Sequence, residues 1–205
     1  MRRVALQQNT RREEIIRVAT GLFRARGYHG TRMDDVADTT GLNKATVYYY
    51  FSGKAEILYA IYLKATSETL EILEDYALLS PAEALRRNAE RQLLLIASDL
   101  DQAAVYFQEA PFIHEWLSAE QISEIRAREK RFERGVRSII NRGFKDGTFH
   151  GTDPAIATAA YVGMTSWFYR WYNPARSSKP EKIAATFADI FLRGILSPDS
   201  PERSG

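Results

Sequence analysis

Apolar residues recur at three- and four-residue intervals along almost the whole chain, with polar residues between them. In the first such stretch, residues 11–26, Ile15, Ala19 and Phe23 share one face, and Gly27 follows the last apolar position. An amphipathic helix ending at a C-terminal glycine has this signature. Residues 1–10 lack the pattern and are predicted to form a flexible arm. No segment alternates like a half-buried strand, so the pattern predicts an all-α protein of about nine helices.

Residues 31–54, TRMDDVADTTGLNKATVYYYFSGK, contain two short helical patterns separated by a turn. Thr31 and Asp34 resemble a capping box at the start of the first helix. Gly41 provides the sharp turn, and Asn43 is placed to cap the second helix. Two short helices joined by a glycine-containing turn predict a helix-turn-helix, whose second helix has the size that enters a DNA major groove.

Side chains around the second helix suit contact with DNA. Lys44 lies at its start, and of the successive residues Tyr48 and Tyr49 at least one must face outward. Tyr50 and Phe51 are interpreted as closing a small core. A third helix is predicted to begin at Lys54, where an ammonium beside free backbone N–H groups would hold a phosphate. The candidate DNA-binding residues are Thr31, Arg32, Asn43, Lys44, Thr46, Tyr48, Tyr49 and Lys54.

The order of residues across this region resembles the N-terminal domain of TetR/AcrR-type transcriptional repressors. The resemblance rests on many positions at once: Ile15, Ala19, Leu22, Phe23, Gly27, Tyr28, Gly30, Thr31, Met33, Asp35, Val36, Ala37, Gly41, Leu42, Lys44, Thr46, Val47, Tyr48, Tyr49, Tyr50, Phe51, Gly53, Lys54 and Leu58. It implies a DNA-binding domain, which we place at residues 1–54, and a ligand-binding and dimerisation domain at residues 55–205. It also implies a homodimer in which the last two helices of each subunit form a four-helix bundle with those of the partner. Such a dimer would bind palindromic operator DNA through its two N-terminal domains.

The charge distribution agrees with a nucleic-acid-binding end. Residues 1–55 hold ten basic and five acidic residues, a net charge of +5, so the remainder carries −3 of the overall +2. The chain has no cysteine, and no apolar run approaches the ~20 residues that span a bilayer. The sequence therefore predicts a cytoplasmic protein that does not enter the membrane, without a metal site or a resident cofactor.

Beyond residue 54, helices are predicted at about 54–78, 81–99, 100–109, 118–146, 154–173 and 179–196. The intervening piece, residues 109–117, is irregular but too apolar for a surface loop, so it either plugs a core or lines a cavity. Trp167, Arg170 and Trp171 fall on one helical face. They form either a packed core or dimer surface with a cation–π contact, or a pocket wall for an anionic ligand.

Three segments together also resemble TetR members that respond to acyl-CoA thioesters in fatty-acid or steroid catabolism: Pro111 to Leu117, the arginine-rich helix predicted over 118–146, and Trp167 to Pro174. Arginines would hold the phosphates of such an effector, and aromatic side chains would line the acyl slot. The candidate effector-binding residues are Tyr106, Phe107, Phe112, His114, Trp116, Arg128, Trp167, Arg170 and Trp171. A helical CoA-handling enzyme and a DNA-binding protein without an effector are the alternatives. No catalytic motif supports the enzyme, and the sequence favours a ligand-responsive regulator, most simply a repressor.

Overall fold

Helices make up most of the structure, a computed structural model that describes residues 2–73, 76 and 78–196, with side chains from residue 8 onward. The helices are α1 (Arg2–Arg26), α2 (Met33–Thr40), α3 (Lys44–Tyr50), α4 (Lys54–Glu71), α5 (Pro81–Ser98), α6 (Leu100–Glu109), α7 (Ala119–Lys145), α8 (Pro154–Ser166), α9 (Phe168–Trp171) and α10 (Pro180–Ile195). A 3-10 turn covers Ile113–Glu115. The all-α prediction is confirmed: the described residues form nine helices plus the four-residue α9.

Local sequence signals set most helix ends. α1 stops at Gly27, which adopts a positive φ of 74° and donates its N–H to the carbonyl of Phe23 at 2.9 Å. α5 and α8 each begin with a proline, after the capping residues Ser80 and Asp153. A proline suits the first turn of a helix because its missing N–H would have no partner there.

Three predicted boundaries were wrong. Residues 2–10, expected to be a flexible arm, belong to α1. α4 ends at Glu71 rather than at about residue 78. The helix predicted over 154–173 is divided at Trp167, where α8 ends and the short α9 begins.

The chain forms two compact units. The first contains Met1–Ala65 and Asp101–Ile125, and the second contains Thr66–Leu100 and Arg126–Gly205. In the first unit, α6 and the start of α7 pack with α1, α2, α3 and the first part of α4. The functional division at residue 54 stays a prediction. The core of the first unit includes Phe23, Val36 and Ile61 together with Val105 and Ile125.

The second unit is built mainly on the packing of α5 against α10. The Arg86 guanidinium pairs with the Asp189 carboxylate between these two helices. Tyr161 of α8, which is completely buried, donates its hydroxyl to the carbonyl of Leu85 at 2.8 Å. A single antiparallel bridge between Phe149 and Leu196 is the only strand-like pairing among the described residues.

Candidate functional site

The helix-turn-helix is formed by α2, a left-handed glycine and α3. Gly41 has a φ of 68°, a conformation that costs side-chain-bearing residues about 1–2 kcal/mol. At the next turn the Asn43 side-chain oxygen accepts the Thr46 N–H at 2.7 Å, which caps α3 as predicted. The Thr46 hydroxyl donates to the same oxygen at 2.7 Å. These contacts fix where α3 begins.

α3 is held by one buried face and presents the other to solvent. Val47 and Phe51 are buried, whereas Tyr48 and Tyr49 are 45% and 72% exposed. The tyrosine prediction is confirmed, since both side chains face outward and Phe51 closes the core. Lys44 and Ala45 are also exposed. α3 therefore offers a convex surface of one cation and two phenols, in a helix short enough for a DNA groove.

Two residues predicted to contact DNA make hydrogen bonds within the chain. Thr31 is completely buried, and its hydroxyl donates to the Gly27 carbonyl at 2.9 Å. The Lys54 ammonium donates to the carbonyls of Tyr28 and Thr31 at 2.7 and 3.0 Å and lies 4.3 Å from the centre of the Tyr28 ring. Burial lowers the pKa of Lys54, an effect opposed by the charge of Glu109. Lys54 thus joins α4 to the loop before α2.

The start of α2 is shifted by one residue from the predicted position. The capping residue is Arg32, whose N–H donates to the Asp35 carboxylate at 2.6 Å. Asp34 is thereby left at the surface, where its carboxylate pairs with the ammonium of Lys44. The Arg32 side chain is exposed beside this turn, where it remains available for contact with a phosphate.

The predicted effector residues of the first unit lie in its core and on its surface. The Trp116 ring stacks on Tyr28 with a centroid distance of 4.2 Å, and Glu109 accepts the Tyr28 N–H at 3.2 Å. The backbone carbonyl of Tyr106 accepts a hydrogen bond from the Tyr62 hydroxyl at 2.7 Å, and the centre of the Tyr106 ring lies 5.0 Å from that of Phe107. The remaining two members are exposed: Phe112 and His114. This segment therefore packs through Trp116 and Glu109 against Tyr28, in the loop before α2, and through Tyr106 against Tyr62 of α4.

Four predicted effector residues belong to the second unit. Arg128 donates to the Ser67 hydroxyl at 2.6 Å, which connects α7 to α4. Trp167 and Arg170 are exposed, and Trp171 lies between the rings of Phe168 and Phe187, at 5.4 and 6.0 Å. In the described part of the second unit, neither tryptophan makes the cation–π contact with Arg170 that one interpretation of this face required.

A buried polar cluster on α5 was missed by the sequence reasoning. Asn88 is completely buried, and its side-chain oxygen accepts a hydrogen bond from the Tyr161 hydroxyl at 3.0 Å. The Asn88 side-chain nitrogen and the Gln92 side-chain oxygen, both shielded from solvent, have no hydrogen-bond partner among the described residues. Such groups cost about 1–3 kcal/mol each. The available signal was the i, i+4 spacing of two amides on a face shared with Leu85 and Ala89.

The described residues contain no group of three or more His, Cys, Asp or Glu side chains placed to hold a metal ion. Within the same residues, no helix has the length and apolarity required to cross a membrane.

Two family models match the chain. Residues 15–61 match the model described as bacterial regulatory proteins, tetR family, and residues 78–195 match the model described as tetracyclin repressor-like, C-terminal domain. The second match alone covers more than half of the chain. The HTH-type transcriptional repressor KstR2 of Mycobacterium tuberculosis is 26% identical over 201 residues, which cover 95% of this chain and 98% of KstR2.

Solved structures have the same fold. The regulator PfmR from Thermus thermophilus is 32% identical, with a TM-score of 0.80, and the match covers 88% of this chain and 97% of PfmR. AibR, in complex with isovaleryl coenzyme A and operator DNA, is 24% identical with a TM-score of 0.74, over 88% of this chain and 97% of AibR. The relatives and structural neighbours are transcriptional regulators rather than enzymes.

Proposed function

Since the chain belongs to the TetR family of bacterial transcriptional regulators, we propose that it is a homodimeric repressor whose α3 helices bind palindromic operator DNA until an effector releases them. The observation that carries this proposal is the exposure of Lys44, Tyr48 and Tyr49 on a helix whose opposite side is anchored by Val47. Because a single short helix reads few bases, two copies are needed for selective binding. A regulator of this kind acts on the chromosome, and we therefore place it in the cytoplasm.

The dimer surface that we propose is formed by α8 and α10, the last two long helices. Ile156 and Trp167 at the two ends of α8 and Ile190 on α10 are large apolar residues that the single chain leaves exposed. Their neighbours on the exposed faces are small, such as Ala159 and Gly194, which allow helices to approach closely. A second copy offers the same two helices in return, so the four helices form a self-complementary bundle.

The effector that we propose is an acyl-CoA thioester that binds among the helices of residues 55–205, the body of the protein. Arg128 and the other arginines of α7 provide cations for the phosphates of such a molecule. The unsatisfied amides of Asn88 and Gln92 provide a donor and an acceptor for its polar groups. The AibR structure shows that this fold can hold isovaleryl coenzyme A. We include Trp167, Arg170 and Trp171 among the positions to be tested, although their exposure suits the dimer surface equally well.

The mechanism that we propose uses α4, which starts at Lys54 beside the helix-turn-helix and contributes residues to both units. An effector that prefers a conformation with α4 displaced would separate the two α3 helices from successive major grooves. For nearly complete release, the effector must favour that conformation by about 5 kcal/mol. An effector without such a preference would leave the DNA affinity unchanged, however tightly it bound.

The experiment is selection of duplexes from a random library by the purified protein, followed by titration of the selected duplex. We expect an inverted repeat and binding that weakens steeply with salt. Long- and short-chain acyl-CoA thioesters are then added, with free coenzyme A as the control. If the selected duplexes shared no common sequence, the proposed repressor function would be contradicted. Unchanged affinity with every thioester would contradict the proposed effector while leaving the DNA-binding function intact.

A further inference from the structure

The first residue of α3 is paired with a carboxylate of the preceding helix. The Lys44 ammonium lies 2.6 Å from one carboxylate oxygen of Asp34 and 2.8 Å from the other. Both side chains are more than half exposed. The hydrogen bond and the charge of Asp34 are the main causes of a raised pKa for Lys44, and Asp38, one turn further along α2, adds a smaller effect. Lys44 is therefore fully charged at neutral pH but held by an internal acid.

Folding stability does not account for this pair. An exposed ion pair contributes little to stability, because water screens the charges and two long side chains lose rotational freedom. The position is nevertheless an unfavourable one for an acid in a DNA-binding domain. A carboxylate beside the helix that enters the groove repels phosphates and reduces the electrostatic attraction that supports binding to any sequence.

We infer that Asp34 restrains Lys44 and thereby lowers affinity for arbitrary DNA more than affinity for the operator. This inference rests on the proposed function of α3. On arbitrary DNA a free lysine gains a phosphate contact and releases one counterion, whatever the sequence. A lysine held by two carboxylate oxygens must lose that partner first, so it contributes only where the site offers a compensating contact, such as the O6 and N7 acceptors of a guanine.

The same pair orients the lysine. The Asp34 side chain comes from α2 and the lysine from the first position of α3, ten residues later, so the contact joins the two helices across the turn at Gly41. An ammonium fixed at this point has fewer orientations to lose when it meets a base edge, which favours binding to the operator further. Asp34 is thus a specificity-determining residue that contacts no base itself.

The test uses Asp34→Asn, Lys44→Met and the double variant of the full-length protein. Fluorescence anisotropy measures the binding of each to a 30-base-pair random-sequence duplex and to the selected duplex, between 50 and 300 mM KCl. We expect Asp34→Asn to bind the random duplex about threefold to tenfold more tightly at 100 mM KCl. The slope of log K against log salt should steepen by about two for a dimer that frees one lysine in each subunit. Affinity for the selected duplex should rise less.

A matched control separates this effect from a simple change of net charge. Glu83→Gln removes a carboxylate that pairs with Arg87 at 2.8 Å on the exposed side of α5, outside the helix-turn-helix. We expect this variant to bind the random duplex as the wild type does. Thermal melting should show all variants folded, since both pairs are exposed.

Three results would overturn the inference while leaving the repressor intact. The first is an affinity of Asp34→Asn for the random duplex that is unchanged, or that rises no more than its affinity for the selected duplex. The second is an equal gain in Glu83→Gln. The third is a gain from Asp34→Asn that persists in full when Lys44 is already Met, which would assign it to repulsion alone. Failure of the wild type to bind either duplex would overturn the proposed function itself.

Discussion

The substitution Ile190→Glu tests the proposed dimer surface. Ile190 is 62% exposed on α10 although its neighbours Phe191 and Leu192 are buried. In a symmetric dimer one substitution changes both copies of the interface. The single chain should fold normally, because the glutamate replaces a side chain that already contacts solvent. The dimer, in contrast, should be strongly weakened.

The magnitude follows from the exposed surface. Complete burial of an isoleucine is worth about 1.5–3 kcal/mol. With 62% of the residue available for burial, each copy loses about 1–2 kcal/mol, and both copies together lose about 2–4 kcal/mol. An unpaired carboxylate placed in the interface adds a desolvation cost of several kcal/mol. The dimer dissociation constant should therefore rise by at least about 100-fold.

Sedimentation velocity between 0.1 and 50 μM measures this change, and operator binding is measured at the same concentrations. The matched control is Leu78→Glu, since Leu78 is 99% exposed and lies outside α8 and α10. We expect Leu78→Glu to remain dimeric and Ile190→Glu to become monomeric, with parallel loss of operator binding. Equal dimer stability in the two variants would refute the assignment of α8 and α10 as the interface.

Three further predictions concern single residues. Asn43→Ala removes the oxygen that caps α3 and should cost about 1 kcal/mol of helix stability. The loss should appear as weaker operator binding and faster hydrogen exchange over residues 44–50. Asn43→Ser keeps a capping oxygen, so its operator binding and hydrogen exchange should match the wild type. Gly143→Ala places a Cβ 2.2 Å from the Phe149 ring and should lower the free energy of unfolding by about 1–3 kcal/mol in urea, whereas Gly21→Ala meets no atom within 4 Å and should not destabilise. Gln92→Leu removes a buried acceptor without a partner among the described residues, so it should raise the melting temperature. If Gln92 contacts the effector, the same change should increase the effector concentration needed for release from DNA. An unchanged effector response would exclude Gln92 from the effector site.

Most of the fold could be predicted from the sequence because its signals are local. Ser80 and Pro81 fix the start of α5, and Gly27 and Gly41 end α1 and α2. The missed start of α1 has a local explanation as well. Residues 2–10 contain no proline or glycine, so extension of the helix costs little even without an apolar stripe.

The missed parts of the site depend on contacts between distant residues. Glu109 and Tyr28 are 81 positions apart, and no periodic pattern indicates that the segment containing Trp116 packs against Tyr28, in the loop before α2. From the sequence, Lys54 is a candidate phosphate contact because a cation at a helix start has that geometry. Only the fold shows that two backbone carbonyls already accept its hydrogen bonds.

The buried amides of α5 illustrate a second limit. A polar residue on an apolar helical face is usually placed at the edge of that face, partly exposed to solvent. The pattern alone does not show whether its side chain is buried. Asn88 and Gln92 are buried because α5 is covered by other helices of the second unit, including α8 and α10. That coverage arises from the order of the helices in space, which the hydrophobic periodicity of each helix does not specify.

The most direct test of the central claim is photo-crosslinking from α3 to DNA. A photoreactive phenylalanine analogue replaces Tyr49, the most exposed aromatic residue of α3, and in a separate sample it replaces the exposed Trp167 of the body. On the selected duplex we expect crosslinks from position 49 to bases in both halves of the inverted repeat, and none from position 167. Crosslinks from position 167 with none from position 49 would contradict the assignment of α3 as the helix that reads DNA.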